Sequence, residues 1–239
     1  MRLWAPLPRA VGAVELLDRP APLSDLRECL DDVARLNGLL GGHLVTLRHV
    51  RRLLRRVPRD RVATVLDVGT GGADVPRALV RWARRAGRRL RVYALDRDPA
   101  TLGVARRGIA GYPEIALLGG DALALPLRPR SVDVVISSLT LHHLEPAAAR
   151  ACLAAMDRTA RLGFVVNDLY RSRPAYAVVW LATRLLARNR MSRHDGPLSV
   201  LRAYTPREVR GLCAGAGVRG VRVRRYGPLM RQCAVQVKP

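Results

Sequence analysis

Between Thr64 and Pro76 the chain reads TVLDVGTGGADVP, an apolar run that closes on an acid and is followed by three glycines within four residues. Glycines between a strand and a helix let backbone approach a ligand closely, and the helix N-terminus behind them favours anions. A dinucleotide fingerprint would need Gly or Ala where Asp74 stands, so a pyrophosphate would meet a carboxylate there. No lysine follows the glycines, which excludes a P-loop. What remains is an acid-x-Gly-x-Gly turn, Asp67-Val68-Gly69-Thr70-Gly71.

Other residues able to do chemistry stand at the ends of apolar runs. Asp96 closes LRVYALD and Arg97 follows it; Asp121 and Ala122 follow EIALLGG. His142 and His143 come after SVDVVISSLTL, and imidazole titrates where a base is useful at neutral pH. Asn167-Asp168-Leu169-Tyr170-Arg171 ends another run. Asp168 could orient an acceptor or take its proton, and Arg171 could hold an anionic group; the alternative is a capped loop with an exposed arginine. SRHDGPLS, residues 192–199, reads as a Gly-Pro loop carrying His194 and Asp195, which either covers substrate or simply turns the chain. The four cysteines are far apart, with no C-x-x-C pair and no histidine at ligand spacing, so no metal site is expected and the thiols should be reduced.

These residues need elements to position them. From about residue 60, strand-like runs at 61–68, 90–96, 114–121, 131–139 and 162–169 alternate with helical stretches, which implies a parallel sheet with helices on both faces. Asp98 offers an N-cap with Pro99 at the first helical position, and Thr205-Pro206-Arg207-Glu208 is a capping box. The last two strands are separated only by YGPLM, a connection short enough to require antiparallel pairing. Residues 1–59 stand outside this rhythm and read as a helical cap of two helices broken at Gly41-Gly42. They would pack on the sheet or close over its ligand edge, with Asn37 or His43 as a polar contact. The helix from Pro174 sets Tyr176, Val179, Trp180, Thr183 and Leu186 near one face, first of all a core face.

The glycine turn, Asp96, GDALALPL and SVDVVISSLTLHHL together resemble, in order, the motifs of class I S-adenosylmethionine-dependent methyltransferases. The resemblance is nearest to their quinone-biosynthesis and small-molecule branch, and Ala73 stands where the family's usual third glycine would be. It implies a Rossmann-like seven-stranded sheet, mostly parallel with an antiparallel last strand, spanning residues 60–239. Asp67, Gly69, Thr70 and Gly71 would meet the cationic end of S-adenosyl-L-methionine. Asp96 and Arg97 would lie at its ribose, Asp121 and Ala122 at its adenine, and Ser138 beside it. His142 and His143 would be bases or would line the cofactor pocket, with Asp168 the third catalytic candidate. The segment 170–204 would form a helical insert at the acceptor pocket, so that Asn167, Tyr170, Arg171, Tyr176, Trp180 and His194 would bind substrate. The implied reaction is methyl transfer to O or C of a largely apolar molecule: a polyketide, a quinone precursor, or a carrier-bound acyl or aromatic acceptor.

Charge raises an alternative. Of the net +23, +13 falls in residues 170–239, where 14 arginines and Lys238 face only Asp195 and Glu208. That balance suits a solvated basic surface, an anionic acceptor, or RNA as the methylated partner. One Phe, three Trp and six Tyr leave few rings to stack on bases, which weighs against nucleic acid. Pro and acids interrupt residues 1–20 where a secretory signal needs an apolar core, and no apolar run is long enough to span a bilayer. A cytoplasmic protein is expected, monomeric or homodimeric.

Overall fold

A computed structural model describes residues 7–239 of the chain; the first six residues of the expected cap lie outside them. Two helices come first, α1 (Leu23–Leu39) and α2 (Gly42–Leu54), broken at Gly41 as the sequence predicts. The alternating body follows: β1 (Ala63–Val68), α3 (Asp74–Arg85), β2 (Leu90–Asp96), α4 (Pro99–Gly108), β3 (Ile115–Gly119), β4 (Val132–Ser138), α5 (Pro146–Thr159) and β5 (Ala160–Leu169). The chain closes with α6 (Arg173–Leu186), α7 (Arg190–Arg202), α8 (Pro206–Gly215), β6 (Val221–Tyr226) and β7 (Arg231–Gln236).

The seven strands form one sheet in the order β3-β2-β1-β4-β5-β7-β6. β1 to β5 pair in parallel, whereas β7 runs antiparallel to both β5 and β6. The central strands β1, β4 and β5 are buried on both faces, which is why they read as unbroken apolar runs, whereas the edge strand β6 alternates. Leu66, Val135, Phe164 and Val166 pack toward one layer, with Leu153 and Met156 of α5 and Leu212 of α8. Their neighbours Val65, Val134, Ile136 and Val165 pack toward the other, with Val50 and Leu53 of α2 and Leu79 of α3. The predicted caps form: Asp98 accepts the N–H groups of Ala100 and Thr101, and Thr205 and Glu208 complete their reciprocal box.

Residues 192–199 differ from expectation. They are not a Gly-Pro loop but the middle of α7, with Pro197 inside the helix. Gly196 explains the arrangement, because a Cβ there would lie 2.5 Å from Cγ2 of Thr183. The pair lets α7 pack hard against α6, and that close contact offsets the poor helix propensity of Gly and Pro.

The cap divides its work. α2 packs on β4 and β5, while α1 crosses toward α4, α6 and α7, over the carboxyl ends of the strands. Among the described residues no helix is long and apolar enough to cross a membrane.

Candidate active site

A crevice of about 780 Å³ opens at the carboxyl ends of β1, β2 and β4, where open parallel sheets place their ligands. Gly69 leaves β1 with φ +71°, a left-handed conformation, and an added Cβ would fall 2.5 Å from the Thr140 side chain. The turn therefore needs glycine twice over, for backbone angle and for space. Asp96 anchors it from the next strand: Oδ2 accepts the Gly71 N–H at 2.9 Å, and Oδ1 accepts the Asp98 N–H at 3.2 Å. Each of those oxygens keeps a second lone pair, and Asp96 lines the crevice.

Asp67 sits differently from expectation. It is buried beneath the turn and does not line the crevice, and its Oδ2 accepts the Thr70 hydroxyl at 2.7 Å. Its Oδ1 is buried without a partner, and burial, helped by Asp74 and Asp96, pushes the carboxyl up to about 7. Thr70, Gly69, Gly71, Arg97, Asp121, Ala122 and Ser138 all reach the crevice wall. Asp121 also bonds the Leu123 N–H as a turn former, and Ser138 keeps a buried hydroxyl with no partner. In a chain of net charge +23, acids dominate this wall: Asp18, Asp74, Asp96, Asp98 and Asp121 stand against Arg19 and Arg97.

These residues fit S-adenosylmethionine. The acidic lining suits a sulfonium and an ammonium, and the free lone pairs of Asp96 suit vicinal ribose hydroxyls. The orphaned Asp67 oxygen and Ser138 hydroxyl are polar groups that lack a native partner.

A second, largely apolar cavity of about 110 Å³ adjoins the crevice. Leu17, Val33, Asn37, Leu139 and His143 line both. Leu139 holds a left-handed backbone, φ 58°, which is rare for a leucine and places its side chain at the boundary. His142 is buried in the cavity wall. Asp168 accepts both its imidazole Nδ1–H, at 2.7 Å, and its backbone N–H, at 3.0 Å. These bonds and the nearby imidazole hold the Asp168 carboxyl below the usual carboxylate range despite burial. Nε2 of His142 is left facing Glu15, 3.6 Å from its carboxylate.

Several predicted residues do not reach substrate. Asp168 serves His142, not an acceptor. Asn167 is buried and ties β5 to α2 through Gly42 and Thr46. Tyr170 is buried against Met230 and Leu169 lines the cavity in its place, one residue earlier. Arg171 is neither an exposed arginine nor an anion site: it is buried and bonded to Leu7, Ala203 and Glu208. Trp180 points outward, 43% exposed beneath the Arg184 guanidinium, and Tyr176 packs beside the cavity without lining it. From the same helix Val179 and Thr183 do reach it. His194 is exposed, while its partner Asp195 is buried, lines the cavity and receives the N–H groups of Leu16 and Leu17. Asn37 and His43 both bond Asp74 at 2.9 and 2.6 Å, so Gly41-Gly42 is a packed turn.

The structure also assembles residues that carry no motif. Glu15, from the segment before α1, lies between the two imidazoles, 3.6 Å from His142 and 3.7 Å from His143. Its Oε2 accepts the Ser199 hydroxyl, and burial pushes its carboxyl up to about 7. Arg202 approaches both Glu15 and Asp18, and His143 bonds Asp18 at 2.8 Å. Arg231, the first residue of β7, is buried in the cavity wall. No local pattern marks Glu15 or Arg231, since only the closed sheet brings residues 15, 142 and 231 together.

Comparison with known proteins agrees with this geometry. A family model described as a methyltransferase domain matches residues 65–163. The chain is similar to a 2-phytyl-1,4-naphtoquinone methyltransferase of Thermosynechococcus vestitus, 46% identical over 120 residues, which are 48% of this chain and 46% of the relative. It is also similar to a malonyl-[acyl-carrier protein] O-methyltransferase of Xylella fastidiosa, 36% identical over 91 residues, 38% of this chain and 28% of that one. The chain thus spans less than half the length of either curated relative. A solved S-adenosylmethionine-dependent methyltransferase from Aquifex aeolicus shares the fold, with a TM-score of 0.54 at 21% identity over 77% of this chain and 87% of its own. Residues 65–163 thus match a methyltransferase domain, and the chain shares its fold with a solved S-adenosylmethionine-dependent methyltransferase.

Proposed function

We propose that the protein transfers the methyl group of S-adenosylmethionine to an O or C atom of a largely apolar small molecule by in-line displacement. When bound, S-adenosylmethionine supplies an electrophilic methyl on sulfur. The chain's own part is to hold the acceptor in line and to receive its proton. The observation that carries the reading is the apolar cavity opening beside the acidic crevice, with the Asp168–His142 pair in its wall. Because Asp168 fixes the proton on Nδ1, Nε2 is the bare nitrogen available to an acceptor O–H or C–H. Glu15, its carboxyl raised to about 7, lies 3.6 Å from Nε2 as a second proton acceptor.

Relatives named for a naphthoquinone and for malonyl-carrier protein support small-molecule acceptors, free or carrier-bound. The basic C-terminal third gives RNA no comparable support. Arg171 is paired with Glu208 and Arg202 with Glu15 and Asp18, and Arg222, Arg224 and Arg225 lie on the edge strand β6, where positive charge deters strand addition. The test is a transfer assay with methyl-labelled S-adenosylmethionine against hydroxyquinones, phenolic polyketides, acyl-carrier protein and total RNA. Label entering an apolar small molecule is expected; label entering RNA alone would overturn the reading.

A further inference from the structure

Arg231 is a buried cation without a counter-ion. It is 2% exposed, and Nη2 donates to the neutral Asn37 Oδ1 at 3.1 Å, while Nε and Nη1 have no acceptor. Among the described residues no carboxylate lies within salt-bridge distance of it. Burial lowers its pKa to about 10, with Asp168 and Asp74 opposing at longer range, so it remains charged at neutral pH. A buried charge is ordinarily paired, and leaving one unpaired costs several kcal/mol. β7 cannot place it elsewhere: residues 165–169 pair antiparallel with residues 231–235, so Arg231 sits opposite Leu169, at the carboxyl edge where the acceptor cavity lies. By area the rest of that wall is mostly apolar, from Val33, Leu36, Leu40, Leu169 and Val179; Glu15 and Asp195 also line it, the latter with its carboxylate bonded to the Leu16 and Leu17 N–H groups.

We propose that Arg231 anchors the acceptor by an anionic oxygen, a carboxylate or an ionised enol or phenol carried on an apolar body. This rests on the methyltransferase reading and narrows it: the acceptor is an acid, and its charge is neutralised inside the protein. The guanidinium fork would take the oxygen through the nitrogens that now lack acceptors, while the aliphatic wall takes the body. Anchored so, the acceptor reaches His142 Nε2 in a fixed orientation. Arg231 is a binding and positioning residue and takes no proton.

The experiment measures binding of matched probes to protein saturated with S-adenosylhomocysteine. The cavity of about 110 Å³ is smaller than the roughly 150 Å³ that holds one benzene ring, but it adjoins the crevice, so single-ring probes, part of whose bulk can extend into the crevice, are the ones to use. Benzoate against benzamide tests a carboxylate. 4-Nitrophenol at a pH where it is ionised, against 4-nitroanisole, tests a phenolate. One charge-assisted contact should make the anion of at least one pair bind about tenfold more tightly. That preference should vanish in Arg231→Met and survive in part in Arg231→Lys, with S-adenosylhomocysteine affinity equal in all three proteins.

Equal affinity within both pairs, or a preference that outlives Arg231→Met, overturns the proposal. So does an Arg231→Met variant that loses S-adenosylhomocysteine as strongly as benzoate, since the guanidinium would then serve the cofactor's own carboxylate. If Arg231→Met does not fold, the wild-type ratios and Arg231→Lys still decide it. Failure of the wild type to bind S-adenosylhomocysteine would instead sink the methyltransferase reading beneath it.

Discussion

Asp168 grips His142 twice, at the imidazole Nδ1 from 2.7 Å and at the backbone N–H from 3.0 Å. An ionised carboxylate in that place admits a single neutral tautomer, with Nε2 bare. Asp168→Asn presents an amide that can donate to Nδ1 and thereby move the proton to Nε2. A positioned base contributes on the order of 100-fold or more, so kcat should fall by about that factor in Asp168→Asn and in His142→Asn. S-adenosylhomocysteine affinity should stay unchanged. An unchanged kcat in both variants would remove His142 from the chemistry.

Asp96 lines the crevice and anchors its glycine turn, where it would meet the cofactor's ribose. Charge-assisted hydrogen bonds contribute about 1.5–3 kcal/mol each, so Asp96→Ala should weaken S-adenosylhomocysteine binding by at least tenfold. Loss of the Gly71 N–H contact at 2.9 Å should also lower Tm by a few degrees. Calorimetry and thermal melts on the same samples check both.

Asp67 makes stability depend on pH. Its folded-state pKa is raised from 3.8 to about 7, so the fold prefers the protonated acid. The stabilisation is complete below 3.8 and is lost as pH climbs through about 7. Glu15, raised from 4.5 to about 7, acts in the same direction. Tm of the free protein should therefore fall between about pH 4 and about pH 7, and Asp67→Asn and Glu15→Gln should each flatten part of that slope.

The acceptor wall can be tested by contrast within α6. Trp180→Ala should leave acceptor KM unchanged, because that ring faces outward, whereas Val179→Ala should raise it severalfold by enlarging the cavity. Gly196→Ala should disrupt the wall through its clash with Thr183, and adding Thr183→Ala should restore most of the lost Tm.

Much of this molecule is legible one segment at a time. The Asp67–Gly71 turn, the Asp98 cap, the Thr205 box and the antiparallel close depend on neighbours within a few residues, and the structure forms all of them. What sequence reading misses depends on distance. Gly196-Pro197 reads as a loop, because only the approach of Thr183 shows why a helix would keep both residues. Arg171 reads as an anion site because its partners Leu7, Ala203 and Glu208 are remote in sequence. Trp180 and Val179 are adjacent and share a predicted face, yet the 100° between them turns one to solvent and the other to the cavity. Glu15 and Arg231 belong to no pattern, and folding alone places them beside His142.

Isothermal titration of the full chain with S-adenosylhomocysteine, in parallel with Asp96→Ala, is the most direct measurement. Saturable binding of one molecule per chain, weakened at least tenfold in the variant, is the expected result. An absence of heat with both S-adenosylhomocysteine and S-adenosylmethionine, on protein whose melt shows it folded, would contradict the assignment of the crevice.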